Sequence, residues 1–250
     1  MNEILRKLNI NDNCYVGNTV FKKLFYENAT MNTRDKEVFK DNIVKIIWQY
    51  SLKEDNINIQ SYKDEIREYE EIAVMEVMLV SDQKFKRIAE IIQIIIPYPL
   101  IIIFSYGDKS LINVAHKRIN LTDEAKNTVE EYIYTEWIDL ANKTDRQKQF
   151  IDNLDVKGLS FSNFYRFYCG VVDNINLFNA SIYEDNYLSI KDKDADKVKE
   201  LQDKIEKLDF EINDLKSKIK KEEHFNNKMK MNIEIKKLEE KRRGLIGELK

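Results

Sequence analysis

The middle of the chain alternates between strand-like and helix-like patterns of apolar residues. Residues 72–80 read IAVMEVMLV, an apolar run of strand length that is rich in β-branched side chains. From Phe85 onward apolar residues recur at helical spacing, and Pro97 ends this predicted helix because proline cannot donate the helical hydrogen bond. Residues 100–106 read LIIIFSY and predict a buried strand. The pattern therefore predicts a strand, a helix and a second strand in succession.

The same region continues as a hairpin and then as another helix and strand. Gly107 to Lys109 supply turn chemistry, and residues 111–116 are predicted to return as the hairpin partner. Thr122 to Glu124 resemble a capped helix start, and residues 132–138 predict a further strand. The order β-α-β-β-α-β predicts an α+β fold with a small antiparallel or mixed sheet and helices on one face.

Two apolar stripes on either side of this region predict helices. Residues 35–50, with Asn32 or Thr33 as the cap, predict an amphipathic helix from the spacing of Phe39, Ile43, Ile46, Ile47 and Tyr50. A later stripe indicates core packing rather than a cofactor or base-stacking platform, and consists of Phe161, Phe164, Tyr165, Tyr168, Val172, Ile175 and Phe178. Residues 1–180 are therefore predicted to form one α+β domain, followed by an Asn- and Asp-rich linker at 181–195.

Residues 196–250 are predicted to form a helical arm. Apolar residues first recur at alternating steps of three and four, which is a coiled-coil pattern; they are Val198, Leu201, Ile205, Leu208, Ile212, Leu215 and Ile219. A second series follows, with Arg242 at one of its positions; its apolar members are Met231, Ile235, Leu238, Leu245 and Leu249. We predict that both series lie in a helix–helix interface.

The two series do not share one register. Ile219 and Met231 are twelve residues apart, which rotates the apolar stripe by about 120° on a straight helix. A hairpin that turns near residues 224–227 removes this conflict. It also pairs residues 192–214, with nine acidic and five basic side chains, with residues 236–250, with six basic and three acidic ones. The pattern favours an antiparallel hairpin, with an intermolecular coiled coil as the alternative.

The tip of this predicted hairpin is rich in lysine. Only Glu222 and Glu223 oppose the basic residues there, which are Lys216, Lys218, Lys220, Lys221, Lys228 and Lys230. Such a patch can contact the phosphates of a nucleic acid. The alternative is an ordinary solvated helix surface.

Composition narrows the class of protein. Hydrophobic residues make up 43% and charged residues 34%, with only 6 glycines and 2 prolines, which favours a folded protein with long helices. The net charge of −3 argues against a general nucleic-acid coat. Cys14 and Cys169 are predicted to be separate thiols. The N-terminus lacks an apolar signal core, and residues 91–104 are too short to span a bilayer, so we expect a cytoplasmic protein without membrane contact.

Candidate chemistry is sparse. His116 and His224 have no partner at metal-ligand spacing, and the chain contains neither a glycine-rich phosphate loop nor a Gly-x-Ser-x-Gly motif. We therefore predict no metal, no cofactor and no small-molecule substrate. The one catalytic hypothesis is a Mg²⁺-dependent nuclease that uses Glu71 and Glu76, with Glu70 beside them. Because no lysine stands two residues after Glu76, the alternative is that Glu76 is an outward-facing strand residue.

Several short stretches, in order along nearly the whole chain, resemble one bacterial family. They are Lys22-Lys23 with Phe25-Tyr26-Glu27, Ile46-Ile47-Trp48 with Leu52, residues 56–59, residues 96–99, Thr135-Glu136-Trp137, residues 154–159, and in the tail Glu223, Phe225, Asn226, Met231, Asn232, Glu234, Lys236, Lys237 and Leu238. With these stretches the sequence resembles the bacterial family named domain of unknown function 4391 (DUF4391). The resemblance implies an accessory protein of restriction-type or anti-phage defence clusters, encoded near helicases and DNA methyltransferases.

The leading functional hypothesis is a non-catalytic assembly subunit. Its α+β domain would dock a helicase, nuclease or methyltransferase, and its arm would associate with itself or with that partner. The second hypothesis is a nucleic-acid-binding protein that uses the basic tip, and the third is the Mg²⁺-dependent nuclease.

Overall fold

The protein is described by a computed structural model, which describes residues 2–28, 31–120 and 127–249. Its contacts divide the chain into two compact units, Met1–Ile175 and Asn176–Lys250, and each is described by itself. None of the described helices is both long enough and apolar enough to cross a membrane.

Cys14 and Cys169 are free thiols, and burial raises the pKa of Cys14 to about 11.

The first unit combines a large sheet with several helices. Its strands are β1 (Tyr15–Thr19), β2 (Ile43–Lys53), β3 (Tyr62–Lys63), β4 (Glu68–Tyr69), β5 (Glu71–Leu79), β6 (Leu100–Tyr106), β7 (Lys109–Ile119), β8 (Asn127–Tyr134) and β9 (Ile138–Asp139). Its helices are α1 (Glu3–Lys7), α2 (Lys22–Asn28), α3 (Thr33–Asn42), α4 (Glu54–Ile57), α5 (Phe85–Ile95), α6 (Asp145–Asp152) and α7 (Phe164–Ala180), the last of which continues into the second unit.

The sheet is mixed and mostly antiparallel. Its strand order is β1-β2-β5-β6-β7-β8, with β9 paired to β7, while β3 and β4 form a separate ribbon. Among the described strands only β5 and β6 pair in parallel, and α5 is the helical crossover that such a pair requires. The predicted α+β fold with a mixed sheet is confirmed.

Strand alternation gives the sheet two covered faces. On one face, Ala73, Met75 and Val77 of β5 pack in a core with Ile88 and Ile92 of α5, as the predicted helical cover requires. On the other face, Ile101 and Ile112 line a small apolar space together with Leu8, Val156 and Val171. Because both faces are covered, β5 and β6 read as nearly continuous apolar runs rather than as alternating ones.

The helix predicted for residues 35–50 is only half correct. Its start is confirmed, because the Asn32 side chain accepts a hydrogen bond from the backbone N–H of Asp35 at 2.8 Å. The helix ends at Asn42, however, and β2 follows at once and pairs with β5 from Ile43 to Lys53. Isoleucine and valine favour strands, and this long antiparallel pairing outweighs apolar spacing that suits a helix equally well.

The strand predicted for residues 132–138 is divided in two. Strand β8 ends at Tyr134 and β9 begins at Ile138. Between them the backbone N–H of Thr135 still donates to the carbonyl oxygen of Ile112 at 2.9 Å. In return, the backbone N–H of Ile112 donates to the Thr135 hydroxyl at 2.9 Å, so a side chain replaces one of the two backbone hydrogen bonds at this point. The helix start predicted at residues 122–124 lies outside the described residues. The helix predicted to follow it is wrong for residues 127–131, which belong to β8 and pair with β7.

An ion pair joins α3 to α5. The guanidinium of Arg87 donates from Nε and Nη2 to the two carboxylate oxygens of Asp35, both at 2.8 Å. These hydrogen bonds hold the pKa of the buried Asp35 below its ordinary value. The pair therefore connects two helices on the same face of the sheet with defined geometry.

We expect Asp35→Asn to lower the free energy of unfolding at pH 7 by about 1.5–3 kcal/mol, because a charge-assisted hydrogen bond is lost. A carboxyl whose pKa is depressed in the folded state stabilises the fold above its unfolded pKa of about 3.9 and loses that contribution as pH falls through the folded pKa. The gap between wild type and variant should therefore shrink between pH 7 and pH 3 in urea-unfolding curves. Asp145→Asn, at an exposed carboxylate, is the control; a gap for Asp35→Asn that does not change with pH contradicts the assignment.

Candidate protein-binding surface

The second unit ends in two helices packed against each other, α8 (Ala195–Lys221) and α9 (Phe225–Leu249). Asp194 caps the start of α8, and its carboxylate accepts a hydrogen bond from the backbone N–H of Lys197 at 3.2 Å. The segment predicted as a linker contains a short 3-10 turn at Ser181–Tyr183 and buries Tyr187 and Ile190. The ring of Tyr187 contacts that of Phe178 in an edge-to-face arrangement.

One carboxylate holds the turn between the two helices. Glu222 accepts hydrogen bonds from the backbone N–H groups of Glu223 and His224 at 2.9 and 2.8 Å and from the Asn227 amide at 3.1 Å. These bonds, chiefly the one from His224, lower the pKa of Glu222. The turn at residues 222–224 lies slightly before the predicted place. The Glu222 carboxylate stabilises it, without glycine or proline, by accepting from backbone N–H groups that stand just before α9 and have no partner within that helix.

The twelve apolar residues predicted for the helix interface are all buried or half-buried. Those that are buried are Val198, Ile205, Leu208, Ile212, Ile235 and Leu249. Those that are half-buried are Leu201, Leu215, Ile219, Met231, Leu238 and Leu245. We refer to these twelve residues as the seam; both apolar series are thereby covered within one chain.

Ion pairs across the seam fix its antiparallel orientation. Arg242, which occupies a predicted seam position, donates from Nε to Asp209 at 2.6 Å, and Lys216 pairs with Glu239 at 3.0 Å. Lys193, just before α8, donates to the carbonyl oxygen of Leu249 at the far end of α9. Partly exposed pairs contribute only about 0.2–1 kcal/mol each, so their main effect is to select the orientation.

The six lysines predicted for nucleic-acid contact lie around the turn, but they are not equivalent. Lys216 is held by Glu239, and Lys218 pairs with Asp214 of its own helix at 2.6 Å. The other four include Lys228, which is half-buried, and the exposed side chains of Lys220, Lys221 and Lys230. The ion pairs reduce the positive charge that the tip presents to a phosphate.

A row of exposed apolar side chains lies on the side of α9 that faces away from the seam. Phe225, Met229 and Ile233 are 73%, 50% and 51% exposed, and their spacing of four residues places them on one helix face. With Lys228, Asn232 and Lys236 they line a groove of about 390 Å³. We call Phe225, Met229 and Ile233 the α9 stripe. The sequence analysis did not predict this stripe. Its residues are offset by two positions from Met231 and Ile235, which places them about 200° around the helix, so the sequence alone could have revealed a second apolar face.

The two carboxylates of the nuclease hypothesis are not brought together. Glu71 and Glu76 both lie on β5, but they are an odd number of residues apart, so strand alternation directs them to opposite faces of the sheet. Glu71 pairs with Lys53 at 3.4 Å and accepts a hydrogen bond from the Ser51 hydroxyl. Glu76 accepts one from the Gln49 amide at 2.7 Å. The expectation that Glu76 faces outward is wrong, since it is 6% exposed.

The described part of the chain offers no alternative metal site. Within residues 2–28, 31–120 and 127–249, no group of three or more histidine, cysteine, aspartate or glutamate side chains is arranged to hold a metal ion. Two opposed carboxylates on one strand cannot coordinate the same ion, so these positions give the hypothesis of a Mg²⁺-dependent nuclease no geometric support.

Comparison with known proteins identifies the family. The sequence profile described as "Domain of unknown function (DUF4391)" matches residues 8–241. The chain belongs to the DUF4391 family. No curated protein and no solved structure matches it. Because the DUF4391 match begins just after α1 and runs into α9, it reaches both units and includes all of α8 and the whole α9 stripe. The helical pair is thus part of what defines a DUF4391 protein and not an appended tail.

Proposed function

We propose that this DUF4391 protein is an assembly subunit of a restriction-type or anti-phage defence complex in the bacterial cytoplasm, and that the α9 stripe docks a helicase, nuclease or methyltransferase partner. The observation that carries the proposal is the α9 stripe itself. Three large apolar side chains stand at least half exposed on one face of a helix whose opposite face is already packed in the seam. A contiguous exposed apolar row of this kind is typical of a protein-binding surface.

The charge around the stripe favours one kind of occupant. The groove is lined by Lys228 and Lys236 and by no acidic side chain. An amphipathic helix that places apolar anchors at three- and four-residue steps, with Asp or Glu beside them, complements such a groove in shape and charge. A second copy of α9 fits less well, because it would bring lysines against lysines. We therefore propose an acidic amphipathic helix of the partner as the occupant.

Substitution at the centre of the stripe tests this proposal. In isothermal titration calorimetry, the full chain is expected to bind the purified helicase, nuclease or methyltransferase encoded beside its gene. Met229→Glu should weaken that binding by about 30-fold or more, because truncating or charging a central hot spot costs about 2 kcal/mol or more. Met229 is half exposed, so the fold should tolerate the change.

Phe210→Glu is the matched control. Phe210 is 75% exposed on α8 and does not line the groove, so its substitution should leave the affinity unchanged. Equal affinity of wild type and Met229→Glu, or absence of binding to all three neighbours, rejects the proposal. A concentration-dependent dimer that Met229→Glu converts to a monomer in light scattering identifies a second copy as the occupant and rejects the acidic partner helix.

Nucleic-acid binding by the basic tip is less well supported. Lys216 and Lys218 already pair with Glu239 and Asp214, which leaves less free charge for phosphates. This function predicts affinity for DNA that falls steeply with salt and is lost when Lys220 and Lys221 become glutamate. The Met229→Glu variant, which leaves these lysines in place, separates it from protein docking.

A further inference from the structure

The first unit contains an open cleft of about 890 Å³ that the docking function does not use. Its floor is the face of the sheet opposite to α5, with Gln49 of β2, Glu76 of β5 and Ser105 of β6. Side chains of α1 and of the β6–β7 turn, among them Arg6 and Asp108, form part of its wall. A cleft of this size is sufficient for a small-molecule ligand.

The carboxylate on this floor lacks a cation. Glu76 is 6% exposed, and its one hydrogen bond among the described residues comes from the Gln49 amide to Oε2 at 2.7 Å. Glu71 is equally buried on the same strand, but it has both Lys53 and the Ser51 hydroxyl. Buried carboxylates are normally paired, because removal of an ion from water without a partner is unfavourable. The Oε1 atom of Glu76 is thus a hydrogen-bond acceptor left open on the cleft side.

A second polar group on the same floor is also without a partner. The hydroxyl oxygen of Ser105 is buried and has no hydrogen bond among the described residues. Met78 pairs with Ser105 and Glu76 with Ile103 across β5 and β6, so strand alternation places Glu76 and Ser105 on one face of adjacent strands. The next serine in the row, Ser110, does have a partner, since the Asn2 amide donates to its hydroxyl at 2.7 Å.

The wall of the cleft carries charges of both signs. Asp12 and Asp108 provide carboxylates, and Arg6 and Lys45 provide cations. A further carboxylate, that of Glu3, is already neutralised by Lys143 at 2.8 Å. The wall thus accepts a polar ligand of mixed charge. The floor, with one carboxylate oxygen and one hydroxyl that have no partner among the described residues, favours a ligand that donates hydrogen bonds.

We propose that this cleft binds a small ligand through an ammonium or guanidinium group, which donates hydrogen bonds to Glu76 Oε1 and Ser105 Oγ. The ligand supplies the positive charge that the buried carboxylate lacks, and it satisfies both open acceptors at once. The cleft shares no residue with the α9 stripe, and the proposed ligand does not depend on the docking function.

The ligand-free protein provides the first test. Glu76→Gln keeps an oxygen that can accept from Gln49 and removes an unpaired buried charge, so the melting temperature of the sheet unit should rise by about 2–4 °C. Glu71→Gln breaks an existing ion pair and should lower it. If both substitutions lower the melting temperature alike, Glu76 is a structural partner of Gln49 and the proposal is overturned.

Agmatine, which carries one guanidinium and one ammonium group, is the probe for binding. In calorimetry it should bind the full chain saturably, and Glu76→Gln should weaken this binding about tenfold or more, since a charge-assisted hydrogen bond is lost. Glu71→Gln should bind as wild type does. Met229→Glu should also retain agmatine binding, which separates this site from partner docking.

Glutarate, an anion of similar length, tests the sign of the site. Weak or absent glutarate binding supports a cation site. Overturning results are the absence of saturable agmatine binding, equal agmatine affinity of wild type and Glu76→Gln, or tighter binding of glutarate, which would assign the cleft to Arg6 and Lys45 instead.

Discussion

Ile205→Asp is expected to disrupt the α8–α9 pair and to lower its free energy of unfolding by about 3–5 kcal/mol. Ile205 is fully buried in the middle of the α8 part of the seam. The substitution removes apolar contacts and places a carboxylate where water cannot reach it, and both changes disfavour the packed state. Urea unfolding followed by far-ultraviolet circular dichroism, which reports the helical signal of the pair, measures the effect.

Phe210→Asp provides the comparison on the same helix. Phe210 is larger than isoleucine but 75% exposed, so its substitution should change the free energy of unfolding by less than about 0.5 kcal/mol. Comparing the two variants shows whether the loss of stability depends on the burial of the apolar residue or on its size. Similar effects of the two substitutions would show that the seam does not hold the helices together.

The most predictable parts of the fold are those in which local pattern and burial agree. Strands β5 and β6 are nearly continuous apolar runs and are bounded by turn residues or prolines, so composition and length identify them without tertiary information. The two helices of the arm follow from the apolar repeat. Strand β2 could not be read in this way, because Ile43, Ile46 and Tyr50 fit a helical stripe and only their pairing with β5 decides between helix and strand.

The candidate sites were less readable, because they depend on side chains from separate elements. Glu76 looks like a solvent-facing residue in the sequence, and its burial arises only when Gln49 and the cleft wall close around it. Ser105 carries no signal of its own. The α9 stripe is local and could have been found, but the stronger apolar series that begins at Met231 drew the interpretation to the opposite face of the same helix. A site formed by neighbouring strands is therefore harder to predict from the sequence than a surface formed by one helix.

The hydroxyl of Tyr168 bridges β6 and β7 at the point where their backbone pairing ends. Backbone pairing of these strands extends from Tyr106 and Lys109 to Ile101 and Val114. At the next position, Tyr168 of α7 inserts its hydroxyl, which donates to the carbonyl oxygen of Leu100 at 2.7 Å and accepts from the backbone N–H of Ala115 at 3.0 Å. Burial raises the pKa of Tyr168 well above its ordinary range, so the hydroxyl keeps its proton.

Tyr168→Phe should therefore lower the free energy of unfolding by about 2–4 kcal/mol, because it leaves the buried N–H of Ala115 without an acceptor and the Leu100 carbonyl with only a long 3.4 Å contact from Gln93. The ring and its packing stay, so the loss reports the hydrogen bonds of the hydroxyl, which also lies 3.1 Å from the carbonyl oxygen of Ala115. Tyr165, three residues earlier on the same helix, is half-buried. Tyr165→Phe should lower the free energy of unfolding by less than about 1 kcal/mol in the same urea-unfolding experiment. If the two variants lose equal stability, the hydroxyl of Tyr168 does not complete the ladder, and the attachment of α7 to the sheet rests on apolar packing alone.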